Sequence, residues 1–164
     1  MIVKSLNMDT EDTTAFLKEK EERLGAKIRF KTYSTWYGEI GGEKREWGVF
    51  LYSDGKVFIL EDFNREPSIL GFKITEKKNN DYVKYERTFL VSQIVDILQV
   101  TRNSAEKSVT LERDFSKPAN LFAKAVQKLV TKVVLDDGSI LFFEMMSHKD
   151  FMKTVAEFQK EAGE

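Results

Sequence analysis

The stretch Thr131–Ala162 constrains the fold of this chain more than any other. It reads Thr-Lys-Val-Val-Leu-Asp-Asp-Gly-Ser-Ile-Leu-Phe-Phe-Glu-Met-Met, then Ser-His-Lys-Asp-Phe-Met-Lys-Thr-Val-Ala-Glu-Phe-Gln-Lys-Glu-Ala. Two β-branched and aromatic runs flank Asp137-Gly138, a tight-turn pair, so the first half predicts a hairpin. In the second half Ser147 stands at a cap position, Asp150 sits at the third helical position, and Met146 is placed to pack on Phe151. Phe151, Val155, Phe158 and Ala162 fall on one helical stripe, with Met152 and Ala156 beside it. A single helix of this kind after a hairpin is expected to close a core built by earlier strands.

The rest of the chain supplies such strands. Lys27–Tyr37 alternates, with Ile28 and Phe30 on one side and Lys27, Arg29 and Lys31 on the other. Gly38–Arg45 reads as a loop. Glu46–Ser53 and Lys56–Glu61 flank Asp54-Gly55, which favours a two-residue type I′ turn. Both faces of that hairpin are apolar: Trp47, Val49 and Leu51 oppose Phe50 and Tyr52, and Val57 and Ile59 oppose Phe58 and Leu60. One face fills the core, and the other must be covered by a helix or left as a sticky surface. Ser68–Thr75 and Tyr82–Val91 read as strands, set off by turns at Asn64–Pro67 and Glu76–Asp81. Ser92–Val100 reads as a short turn and then a strand. Asn103–Lys107 is expected to be a loop, and the alternation of Val109, Leu111 and Phe115 a further strand.

Two more helices are expected. Residues 9–24 have Asp9 or Thr10 as a cap and the charge pairs Lys18/Glu22 and Glu19/Arg23 at i, i+4. Their apolar stripe, Phe16, Leu17 and Leu24, is thin, and Gly25 suits a left-handed end, so this helix should lie lightly attached on the surface. In Pro118–Lys128, Leu121, Phe122, Ala125, Val126 and Leu129 recur at helical spacing, although the second half also fits an extended segment. The fold class that follows is mainly β with flanking helices (α+β). It is a bent antiparallel sandwich or open barrel of about seven strands closed by a C-terminal amphipathic helix. At 164 residues one domain is expected, 1–164, with 1–25 as an N-terminal helical extension.

Composition narrows the chemistry. A formal net charge of −1 gives no whole-molecule attraction to nucleic acid, and none is expected as a partner. There is no cysteine, which removes disulfides and thiolate catalysis and suits a reducing compartment. No apolar run is long enough to span a bilayer and no secretory leader opens the chain, so a cytoplasmic location is expected. His148 is the only histidine; it is expected to be solvated beside a helix cap. Without a second histidine no zinc site is expected, and no metal or cofactor follows from the sequence. The acidic pairs Asp136-Asp137 and Glu61-Asp62 would point to opposite faces of a strand, poor geometry for chelation. No Gly-x-Ser-x-Gly elbow, phosphate-binding loop or dinucleotide fingerprint is present, so no catalytic residue is assigned. Enzymatic activity is left open, with the balance against it.

Several short strands, two tight hairpins and one C-terminal amphipathic helix resemble the pleckstrin-homology superfold. Phe89-Leu-Val-Ser-Gln-Ile-Val-Asp-Ile-Leu-Gln-Val100 is similar to the segment of GRAM-like and bacterial pleckstrin-like domains in which a turn with a buried Ile leads into a strand. Leu135–Glu144 followed by Ser147–Phe158 looks like their last hairpin and closing helix. The resemblance implies a scaffold for binding proteins, peptides or lipids. The basic residues that phosphoinositide-binding members carry in the first hairpin loop have only Lys44 and Arg45 to match them, between two glutamates.

The function expected is a non-enzymatic binding or scaffold module engaging a protein partner or a second copy of itself. The alternatives are a small-ligand barrel or an enzyme with an all-carboxylate or aromatic pocket, and peripheral binding to an anionic lipid headgroup through basic loops. Candidate binding residues are Trp36, Tyr37, Lys44, Arg45, Trp47 and Tyr52. The aromatics are of the kind that anchors interfaces, and the two cations sit in the first loop. Lys73, Lys77, Lys78, Lys84 and Arg87 form a second basic tip, read more readily as gatekeepers at sheet edges.

Overall fold

The computed structural model describes residues 10–42, 47–62, 68–69, 72–73 and 85–163. Helix α1 (Thr10–Leu24) precedes strands β1 (Phe30–Glu39), β2 (Trp47–Ser53) and β3 (Val57–Asp62). Two short strands follow, β4 (Ser68–Ile69) and β5 (Phe72–Lys73), and then β6 (Glu86–Leu90). A 3-10 turn (Val91–Gln93) leads to β7 (Ile94–Thr101) and helices α2 (Arg102–Thr110) and α3 (Leu121–Val126). Strands β8 (Leu129–Leu135) and β9 (Ile140–Met145) and helix α4 (His148–Ala162) follow. Seven strands form one antiparallel sheet in the order β6-β3-β2-β1-β9-β8-β7, so the expected α+β class holds.

Strand β1 serves both halves of the sheet. It pairs with β2 from Phe30 to Trp36 and with β9 from Ser34 to Glu39. A bulge between Trp36 and Gly38 leaves Tyr37 as the extra residue. Gly38 carries φ +141°, a backbone setting that side-chain-bearing residues rarely take, and it lets β1 bend there. One face of all seven strands converges on one core that includes Trp36, Leu51, Phe58, Phe89, Ile94, Val133 and Phe143. A sheet whose strands all share one core must curl around it.

Helix α4 closes that core, as its apolar stripe predicts. Phe151, Val155 and Phe158 are buried, and the Phe151 ring lies 5.5–6.3 Å from the rings of Phe30, Phe58 and Phe143, on three different strands. Gln159 Nε2 donates to the carbonyls of Ile94 (2.7 Å) and Val91 (3.3 Å), tying the helix to the corner between the two edge strands. The stripe is shorter than expected, because Met152, Ala156 and Ala162 are exposed. Met146 also stands in solvent rather than on Phe151, and the Ser147 hydroxyl bonds the Asp150 carboxylate rather than a backbone amide.

The outer faces are covered too. Helix α1 lies over Phe50, Tyr52 and Ile59 with Phe16, Leu17 and Leu24, so the second apolar face of the β2–β3 hairpin is buried. Helix α2 covers Tyr37, Val100, Val130 and Phe142 with Ala105 and Val109. This helix replaces the loop expected at Asn103–Lys107 and the strand expected over Val109–Phe115. The Thr101 hydroxyl caps it by accepting from Ser104 N (3.3 Å), and Ala105, Ser108 and Val109 bury at i, i+3, i+4. The alternation that suggested a strand spans the end of α2 and the turn after it, where Leu111 is exposed.

The turns differ from expectation in a related way. Ser53 pairs with Phe58, leaving four residues in the first loop rather than two. Only Gly55 has positive φ there, and the Asp54 carboxylate accepts from Lys56 N and Val57 N, so the turn is not type I′. The second hairpin closes through Gly138 N to Leu135 O (3.0 Å) with Gly138 at φ +86°, a three-residue loop with a glycine bulge. The strand expected over Ser68–Thr75 is instead the pair β4 and β5, and the turns at Asn64–Pro67 and Glu76–Asp81 lie outside the described residues.

Candidate binding surface

The aromatics expected to form a binding face do not come together. Period-two alternation and the bulge at Tyr37 send them to three separate cores. Trp36 is fully buried inside the sheet, 5.5 Å from Tyr85 and 6.0 Å from Phe143 between ring centres. Tyr37 is buried on the opposite face, where its hydroxyl bonds Glu144 (2.8 Å) and the Arg102 guanidinium lies 5.0 Å over its ring. Tyr52 is fully buried under α1, stacked 5.2 Å from Phe50. The Trp47 backbone pairs with Trp36, and its side chain, Lys44 and Arg45 lie outside the described residues. So do Lys77, Lys78, Lys84 and the side chain of Lys73 from the second basic tip.

A buried charge network sits beneath α1. Glu61 is 2% exposed and accepts from Lys20 Nζ (2.7 Å) and Arg23 Nη1 (2.8 Å). Arg23 also reaches Glu86 rather than Glu19, the partner expected at i−4. Burial alone would lower the Lys20 pKa, but hydrogen bonds to Glu61 and Glu19 outweigh it and the net shift is upward. Tyr52 is pushed up to about 12, first by burial and then by the Glu61 charge. The helix expected to be lightly attached is therefore held by a buried carboxylate with two cations, and the sequence offers no signal of it because the partners are 38 and 41 residues away from Glu61.

His148 is half-buried rather than solvated. Its Nδ1 lies 2.9 Å from Thr131 Oγ1, and burial, aided by the nearby Lys124 ammonium, lowers its pKa and favours the neutral ring. Among the described residues no three of His, Asp or Glu gather closely enough to hold a metal ion. Two surface hollows lie among the described residues. One, of about 350 Å³, is lined by Glu39–Gly42 and Tyr85–Arg87. There Arg87 Nη2 donates to Glu39 (3.0 Å) and Ser139 (3.3 Å), while its Nε is buried without a hydrogen-bond partner. The other, of about 190 Å³, lies among Arg102, Asn103, Gln127 and Lys128, and Arg102 there is paired with Glu106.

The exposed apolar surface lies elsewhere, on α3. Asn120 caps this helix by accepting from Ala123 N (2.8 Å), and Ala119 N donates to Gln99 O (2.7 Å), which fixes its start against β7. Ala123 is its only buried residue. Leu121, Phe122 and Val126 are 87%, 71% and 61% exposed. The helical spacing expected to face the core instead faces solvent, because the helix is anchored by its smallest side chain. Met146, on the β9–α4 turn, is 98% exposed as well.

Comparison with known proteins adds no assignment: no family model matches the chain, and no curated protein matches it. No helix among the described residues is long and apolar enough to cross a membrane.

Proposed function

We propose that this chain is a non-catalytic binding module on a pleckstrin-like scaffold, docking a protein partner through α3 and the β9–α4 turn. The scaffold reading draws support from the strand order, in which β1 is shared between the halves, the edge strands β6 and β7 follow one another in the chain, and a final helix seals the core. The observation that carries the docking site is the exposure of Leu121, Phe122 and Val126 on one short helix, with Met146 on the β9–α4 turn exposed as well. Monomers seldom leave such groups clustered in water without a use for them. The β2–β3 hairpin loses its claim as an interface, since α1 covers it.

A photo-crosslinking residue in place of Phe122, introduced in the native cell, tests this reading. It should give discrete protein adducts that disappear with Leu121→Asp, while the same probe at Lys153 on α4 should give none. Adducts from both positions alike, or from neither, would remove α3 as the docking site.

A further inference from the structure

The charge around the α3 surface says what kind of partner fits it. From Phe115 to Leu135 the chain holds four lysines and no carboxylate, within a protein whose net charge is −1. Lys132 is spent on Asp114. The other three, Lys117, Lys124 and Lys128, are exposed and form no ion pair among the described residues. They flank or punctuate the same segment that presents Leu121, Phe122 and Val126. An apolar ridge set among cations that lack a carboxylate partner among the described residues is matched by an apolar stripe set among carboxylates.

We infer that the α3 surface takes an acidic amphipathic segment of another protein, its apolar side chains on Leu121, Phe122 and Val126 and its carboxylates on Lys117, Lys124 and Lys128. This rests on the protein-docking reading given above and specifies the partner within it. An anionic bilayer is the weaker match. Juxtamembrane lipid recognition usually takes clusters of about four to eight basic residues, more than the three here, and the whole molecule supplies no long-range attraction. An acidic segment needs only to match the three in place.

The test uses the full chain and three fluorescent helical peptides with identical Leu and Phe positions, the remaining positions being all Glu, all Gln or all Lys, together with phosphatidylcholine vesicles containing about one-third phosphatidylserine. The Glu peptide should bind at least about tenfold tighter than the Gln peptide, with the Lys peptide weakest. Lys124→Glu with Lys128→Glu should invert that order, added salt should flatten it, and Leu121→Asp should abolish binding. All the substituted side chains are exposed, and far-ultraviolet circular dichroism confirms that each variant folds. Equal binding of the three peptides, lost with Leu121→Asp, would overturn the acidic partner and leave the docking site standing. Peptide binding indifferent to Leu121→Asp, or no peptide binding at all, would overturn both, as would vesicle binding through Leu121 in place of peptide binding.

Discussion

Glu112 holds φ +50°, the only positive value at a described non-glycine residue. It follows α2, where Arg113 N donates to Ser108 O (3.1 Å) and Glu112 N to Val109 O (3.4 Å), the bond pair that closes a helix through a left-handed residue. A side chain in that conformation costs about 1 kcal/mol relative to glycine. Glu112→Gly should therefore stabilise the fold by up to about 1 kcal/mol, raising the melting temperature by about 2–4 °C, and Glu112→Val should lower it; no gain from glycine in a thermal melt would contradict this reading of the cap. Tyr52 sets a second residue-scale expectation. Its folded pKa of about 12 lies above the ordinary 10, so its contribution to stability is complete below pH 10 and is lost as pH rises from there toward 12. Lys20, also raised, acts in the same alkaline direction. In a spectrophotometric titration of the five tyrosines one should ionise last, and that late step should vanish in Tyr52→Phe.

At the scale of elements, α1 is the one whose attachment rests on charge. Removing Glu61 leaves the buried Lys20 with only the exposed Glu19 as partner and takes a partner from Arg23; breaking a buried pair costs up to about 3–5 kcal/mol. Because α1 ends at Gly25 (φ +67°) and can leave the sheet, the loss should fall on the helix alone. Glu61→Ala should accelerate amide exchange across Thr10–Leu24 while β8 stays protected, and equal protection of α1 in both proteins would show that the network does not hold it. The existence of α1 was legible in the sequence, since its capping, charge pairs and Gly25 are local signals. Its docking was not, because Glu61 lies on another element. The same division explains α2. Its C-terminal residue in the left-handed region is a glutamate rather than a glycine, so the usual stop signal was missing and Val109, Leu111 and Phe115 read as a strand. For α3 the periodicity was visible but its direction was not: which face of a short helix turns inward was decided by Asn120, Ala119 and Ala123, and the larger residues went outward. The cores were legible as alternation, yet alternation also sent Trp36, Tyr37 and Tyr52 to different cores and dissolved the aromatic face that their proximity in sequence suggested.

Across the whole molecule, the central core depends on α4. Phe151, Val155 and Phe158 contribute about 1.5–3 kcal/mol each by burial, against a total stability of about 5–15 kcal/mol for a typical protein. A chain ending at Met146 should lose its cooperative unfolding transition, and a sharp transition in such a chain would remove α4 as the closing element. The shared strand β1 carries a further consequence, one of timing. Its partner β9 is over one hundred residues further along the chain, with Ser34 opposite Met145. During synthesis β1, β2 and β3 can pair early, but one edge of β1 stays open until the last hairpin has left the ribosome. Until then the seam between the two halves is a row of unpaired backbone groups, the kind of template on which neighbouring chains aggregate. Nascent chains stalled before Ile140 should be far more readily cleaved by protease than chains stalled after the end of α4, and equal resistance would show that the first half shelters β1 by itself. Residues 140–162, made after every other strand of the sheet, are thus the ones that end the molecule's period of greatest exposure.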